Sequence, residues 1–238
     1  MRRLAGIPAP IAVLAVLVGD EIVRYVGREL ATLIPAPPAD PVLWPVVPRL
    51  PLVAYALALA VVFGLKRSGL RRPEPGARRW LPILIIVPLA SLLGLITGGI
   101  GPGAVDAVLL RTALAGGAEE IIYRGIILAL LMPRGGWAAA LISTLLFAVG
   151  HLVDISGFHP ENWFSALNAF GGGLLFAVAR LRSRSVYPGI VAHAAYNVID
   201  ALRWYDTALI VVIDRIWPLV MIVAGLIALR RGRGHSES

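Results

Sequence analysis

The chain contains no cysteine at all. That removes a disulfide framework, a thiolate nucleophile and any cysteine metal site. Charge is also scarce: only 15% of the 238 residues are Asp, Glu, Lys or Arg, while 58% are hydrophobic, against about 25% and about 45–50% in soluble domains. Mean hydropathy is +0.80. One water-soluble core cannot hide that much apolar surface, which excludes an ordinary cytosolic enzyme, and so rich a hydrophobic content excludes a disordered chain. Long polar stretches are missing too, so the sequence offers no soluble domain, repeat array or low-complexity tail. What remains is an all-α, polytopic membrane protein, a single integral-membrane domain over 1–238.

Acidic residues are outnumbered 14 to 22, giving a net charge of +8. No basic amphipathic helix and no aromatic–basic interleaving supports nucleic-acid binding; the bases stand in short runs between apolar stretches, as juxtamembrane charge does. Eight stretches reach the ~20 residues a crossing helix needs: 7–30, 42–65, 80–100, 105–131, 137–155, 162–180, 186–203 and 207–229. The first is the weakest, because Asp20, Glu21, Arg24, Arg28 and Glu29 follow its apolar run. A signal peptide is the rival reading there, but charges, not a small-residue cleavage site, come after the run. With both termini on the cytoplasmic side, 15 of the 22 basic residues fall in cytoplasmic segments: Arg2 and Arg3; Lys66, Arg67, Arg71, Arg72, Arg78 and Arg79; Arg134; Arg180, Arg182 and Arg184; Arg230, Arg231 and Arg233. Eight crossings satisfy the positive-inside rule; an odd number breaks the alternation. Pro-rich connections stand at 34–41 and 73–75.

Ionisable groups inside crossing helices are costly and mark functional sites. Three clusters qualify. Glu119-Glu120-Ile-Ile-Tyr-Arg124 lies in the fourth span. Glu120 and Arg124, four residues apart, form a favourable helical ion pair, which leaves Glu119 free to face a cavity as a general base. The bland alternative is a structural pair plus one snorkelling carboxylate. Phe147-Ala-Val-Gly-His151 lies in the fifth span and sets Phe147 one turn before the imidazole, where it can pack beside the ring. His193-Ala-Ala-Tyr-Asn197 puts imidazole and amide on one face of the seventh; Ala194 and Ala195 let a neighbouring helix come close. Taken singly, either histidine could be helix–helix glue. Together, a carboxylate, two imidazoles and an amide on three helices make a hydrolytic set: a base and an imidazole for water, an imidazole and an amide for an oxyanion. His159 and His235 look incidental.

These motifs, EExxxR, FxxxH and HxxxN in that order over about 111–200, resemble the CPBP intramembrane proteases, a family that includes the type II CAAX prenyl endopeptidases and many bacterial relatives. Gly171-Gly172-Gly173 and the run from Ser185 to His193 belong to the resemblance; the first 100 residues share only hydrophobicity. The resemblance implies Glu119 as the base that activates water, His151 orienting that water, His193 and Asn197 as the oxyanion site, and Glu120 with Arg124 supporting the first motif. It also implies an eight-helix bundle around a conical cavity open to membrane and cytosol, and a membrane-anchored or lipidated protein, or a precursor peptide, as substrate. No cofactor is expected. Zinc is the alternative, on Glu119, His151 and His193 with one open position, although the HExxH helix is absent. The expected location is a prokaryotic cytoplasmic membrane. A proton-coupled transporter is the competing function, since such relays also use intramembrane Glu and His; no inverted repeat between the halves supports it.

Overall fold

The computed structural model describes residues 7–33, 44–100, 105–202 and 208–231. Among them the chain forms eight helices and one two-stranded hairpin, an all-α architecture. They are α1 (Ala9–Leu33), α2 (Leu50–Phe63, entered through the 3₁₀ turn Trp44–Arg49), α3 (Ile86–Gly98), α4, α5 (Gly136–Val149), α6 (Trp163–Ser183), α7 (Tyr187–Leu202) and α8 (Ala208–Arg230). Helix α4 is continuous but not uniform: α-helical Val105–Glu120, π-helical Ile121–Ile127, then α-helical Leu128–Leu131. The helices lie where the eight apolar stretches predict them. Three are long and apolar enough to cross a membrane by length and composition: Val46–Phe63, Pro160–Ser183 and Val211–Arg230. Leu81–Thr97 and Gly136–Val149 are apolar but shorter.

Burial runs opposite to that of a soluble protein. Helix α8 leaves Val212, Ile216, Leu219, Val223 and Ile227 exposed at three- and four-residue steps, so one whole face is apolar and unpartnered within the chain, as a lipid-facing stripe is. Meanwhile Asp20, Glu120, Arg124, Ser143, Thr144 and His193 are buried. The bundle's centre holds the polar groups.

One expectation needs correction. The fifth apolar stretch reads as a span to 155, but α5 stops at Val149. Gly150 and the turn bonds His151 N–H to Ala148 O (3.0 Å) and Leu152 N–H to Val149 O (2.8 Å) end the helix. The chain then forms a hairpin in which Val153 pairs with Phe158 and Asp154 with Gly157. Asp154 explains the break: its carboxylate accepts from the Ser156 backbone N–H (2.7 Å) and hydroxyl, a local turn bond that competes with helix. His151 therefore sits just past a helix end, not within it.

The charge pattern has a structural counterpart. The segment after α2 binds the α6–α7 turn: Glu74 N–H donates to Ser183 O (3.0 Å) and Val186 N–H to Gly69 O (2.9 Å). Arg182 Nη2 reaches Ala228 O near the end of α8 (3.2 Å). The basic runs at 66–79, 180–184 and 230–231 thus gather at one end of the bundle. Arg2, Arg3, Arg233, His235 and the Pro-rich connection at 34–41 lie outside the described residues.

Candidate active site

The buried pair forms first along the chain. Arg124 Nη1 lies 3.3 Å from Glu120 Oε1, and both side chains are 0% exposed. Two unpaired ions at that depth would be very costly, and pairing recovers that cost only with further contacts. Ring faces supply them: the Arg124 guanidinium lies 4.3 Å from the Phe147 ring centre and 5.6 Å from that of Phe176, cation–π distances. Phe147 thus serves two groups. Its ring also meets His151 edge-on at 4.9 Å, as the motif spacing predicts, and His193 at 5.9 Å.

The π-helical turn follows directly on Glu119 and Glu120. Such turns widen the helix and concentrate at functional sites. Leu128 N–H reaches back five residues to Tyr123 O, and the Ser143 hydroxyl donates to that same carbonyl at 2.8 Å, so α5 locks the distortion in place.

His193 is held by a defined bond. Its Nδ1 lies 3.1 Å from Glu120 Oε1. A carboxylate here can only accept, so Nδ1 carries the hydrogen and Nε2 is the nitrogen left over. That Nε2 lies 3.7 Å from Glu119 Oε2. Phe176 stacks on the same imidazole at 5.1 Å. One turn on, Asn197 Nδ2 donates to Thr112 O on α4 (3.2 Å), which leaves its second amide hydrogen uncommitted to that bond. His151 is fixed in the same manner: Nδ1 lies 3.0 Å from Phe147 O. A carbonyl only accepts, so Nε2 is the bare nitrogen.

Glu119 departs from expectation. It is not free. Arg24 Nη2 of α1 donates to its Oε1 at 3.2 Å, while Arg24 Nε donates to Asp20 Oδ1 at 3.1 Å. Tyr123 O–H donates to Asp20 Oδ2 at 3.3 Å. A carboxylate buried beside a second carboxylate needs a cation, and with Arg124 committed to Glu120 the first helix provides one. Asp20, Arg24 and Tyr123 are the participants that the motifs miss. The signal was present: Asp20 and Arg24 stand four residues apart in an apolar helix, the same spacing and charge order as Glu120 and Arg124.

A cavity of about 230 Å³ lies among α3, α5, α6, α7 and α8, and His151, His193, Asn197 and Phe147 all line it, with Asp200 farther along α7. Glu119 is not in its wall; its Oε2 lies 3.7 Å from Nε2 of His193, which is. Of the predicted residues, the structure therefore brings three to the cavity with Phe147 and sets Glu119 in contact with one of them. Among the described residues, no three His, Asp or Glu side chains converge closely enough to hold a metal ion.

No curated protein matches the chain. Residues 101–199 match a family model described as type II CAAX prenyl endopeptidase Rce1-like. The match covers α4 to α7, every motif residue above included, and leaves α1 outside. A hydrophobic bundle with buried charges and a match that spans the three motifs point the same way: over residues 101–199 the chain is similar to the Rce1-like type II CAAX prenyl endopeptidases.

Proposed function

We propose that this chain is an intramembrane endopeptidase that hydrolyses a peptide bond of a membrane-anchored or lipidated protein, or of a precursor peptide, with water activated by Glu119 and His151. The observation that carries the reading is the convergence of His151, His193 and Asn197 on one cavity, with Glu119 3.7 Å from His193. Residues 111–200 act as the catalytic core of a single domain in this reading. The chain crosses a prokaryotic cytoplasmic membrane eight times, with both termini inside.

Each residue has a role that its contacts suit. His151, anchored through Nδ1, offers Nε2 to a water molecule and orients it. Glu119 takes the proton. Two guanidinium groups, Arg24 and Arg124, stand against three carboxylates, Asp20, Glu119 and Glu120. With all five groups ionised the cluster carries one net negative charge, and a proton arriving on Glu119 brings it to zero. The negative charge passes to the oxyanion, so the transfer moves charge within the site without adding to it. The attacked carbonyl becomes an oxyanion, stabilised by the second amide hydrogen of Asn197; His193, its ring held by Glu120, adds a hydrogen bond from Nε2 only when that nitrogen also carries a proton. Glu119 then returns the proton to the leaving amine. The 3.7 Å approach of Glu119 to His193 is longer than a hydrogen bond, and catalytic contacts of this kind shorten when substrate binds. No step in this reading requires a metal.

The test is cleavage of candidate precursors by purified protein in bilayers. Glu119→Gln and His151→Ala are expected to lose at least about 100-fold in rate, the lower range for a general base. Wild-type cleavage by either folded variant refutes the mechanism. Chelation is expected to leave activity intact; loss on chelation with recovery on zinc addition would establish a zinc enzyme instead.

A further inference from the structure

At the basic end of the bundle a cleft of about 690 Å³ opens between α4, α6 and the segment after α2. Its charged wall is Lys66, Arg67, Arg71, Arg180 and Arg184, with no carboxylate. Opposite them, Leu128, Ala129, Met132 and Pro133 form an apolar wall, and Met132 is exposed. The nearest acid, Glu74, is already shared by Arg71 (2.6 Å) and Arg184 (3.5 Å).

The basic wall is built, not loose. Arg180 Nη2 donates to Arg67 O at 3.1 Å and Arg71 Nε to Arg184 O at 3.1 Å, and Arg180 Nε is buried with no hydrogen-bond acceptor among the described residues. Five like charges held around one cleft repel one another, and Lys66 and Arg67 have no carboxylate partner among the described residues. An anion in the cleft would relieve both costs. The apolar wall says what kind: one attached to hydrocarbon. Trp80, stacked between Arg79 (5.7 Å) and Arg182 (4.9 Å) at the same end of the bundle, is the amphipathic ring expected at headgroup depth.

We infer that the cleft walled by Lys66, Arg67, Arg180 and Met132 binds the phosphate headgroup of an anionic phospholipid, with the first carbons of its acyl chains against the exposed Met132 and Pro133. Arginines forked on phosphate oxygens suit the charge, and basic pockets between helix ends are a known form of lipid recognition. The inference is independent of peptide cleavage.

Full-length protein in nanodiscs provides the test, with phosphatidylglycerol compared against phosphatidylcholine of the same acyl chains. Readouts are thermal stability and the lipid retained in native mass spectrometry. Phosphatidylglycerol is expected to raise the midpoint and to be retained. The exposed pair Lys66→Gln/Arg67→Gln is expected to weaken retention by about fivefold for each charge removed. Arg79→Gln/Arg231→Gln, which removes two charges from the neighbouring cleft, is expected to retain it. Equal behaviour of the two lipids, or equal loss in both double variants, overturns the site. If millimolar inorganic phosphate reproduces the stabilisation in phosphatidylcholine, the ligand is free phosphate and the lipid assignment fails.

Discussion

Gly173 leaves space that Arg124 needs. A Cβ at position 173 would collide with Arg124 Nη2, and one at Gly189 would come within 2.8 Å of Glu120 Oε2. Two glycines, from α6 and α7, thus bracket the buried ion pair. Gly173→Ala is expected to destabilise the fold by about 1–3 kcal/mol, the cost of overpacking, measurable by denaturation in mild detergent; an unchanged midpoint would mean that the guanidinium has room to move. The pair itself makes a sharper prediction. Glu120→Gln or Arg124→Met alone strands a buried charge and is expected to cost about 3–5 kcal/mol. The double variant is expected to cost clearly less than the two single costs added together; simple additivity would show that the two groups do not depend on each other. The pairing was legible in the sequence, because four-residue spacing on a helix is a local property. The ring faces over Arg124 were not, since Phe147 and Phe176 reach it from other helices.

At the scale of elements, α1 is more than an apolar anchor. Asp20 and Arg24 place a cation on the carboxylate proposed as base, so Arg24 is a positioning residue. Arg24→Gln is expected to lower kcat with little change in KM and to shift the pH–rate profile, while Arg24→Lys keeps a charge and restores part of the rate. Equal profiles for wild type and Arg24→Gln would confine Arg24 to a structural role. The hairpin after α5 carries its own pH response. His159 has Asp154 at 3.2 Å from Nε2 and Glu161 at 3.1 Å from Nδ1. These bonds, Asp154 first, hold its pKa above the ordinary 6.5, while bonds from the Ser156 hydroxyl and then its N–H pull Asp154 down to about 2. A raised histidine contributes stability below pH 6.5 that is lost as pH climbs through its folded value. A depressed Asp contributes above its ordinary 3.8 and loses it toward pH 2. The hairpin is therefore tightest between about pH 4 and 6.5 and loosens above that. Amide exchange at 153–159 is expected to accelerate above neutrality beyond the rise seen in His159→Gln; identical pH profiles would contradict this. Arg28, 3.7 Å from Asp154 Oδ2, ties the hairpin to α1.

For the described residues as a whole, apolar faces point outward and buried charges inward, with the basic runs at 66–79, 180–184 and 230–231 at one end. The proposed eight crossings would put positions 67 and 134 on one side of the membrane and 155 on the other. The chain has no native cysteine, so single-cysteine variants report cleanly. Arg67→Cys and Arg134→Cys are expected to react with an impermeant maleimide only from the cytoplasmic side, and Ile155→Cys only from the opposite side. Labelling of all three from one side would refute the topology.

Composition and apolar run length were enough to determine the helical bundle, because the need to satisfy backbone groups in lipid leaves a hydrophobic chain few alternatives. Local spacing likewise exposed Glu120–Arg124 and the edge-on contact of Phe147 with His151. The sequence alone could not tell that Glu119 takes its cation from a helix 95 residues away, that α4 opens into a π turn, or that α5 ends before His151. Each of these depends on which groups meet after the helices pack. A buried charge takes whatever partner the neighbouring helix presents, and only the tertiary structure decides which helix that is.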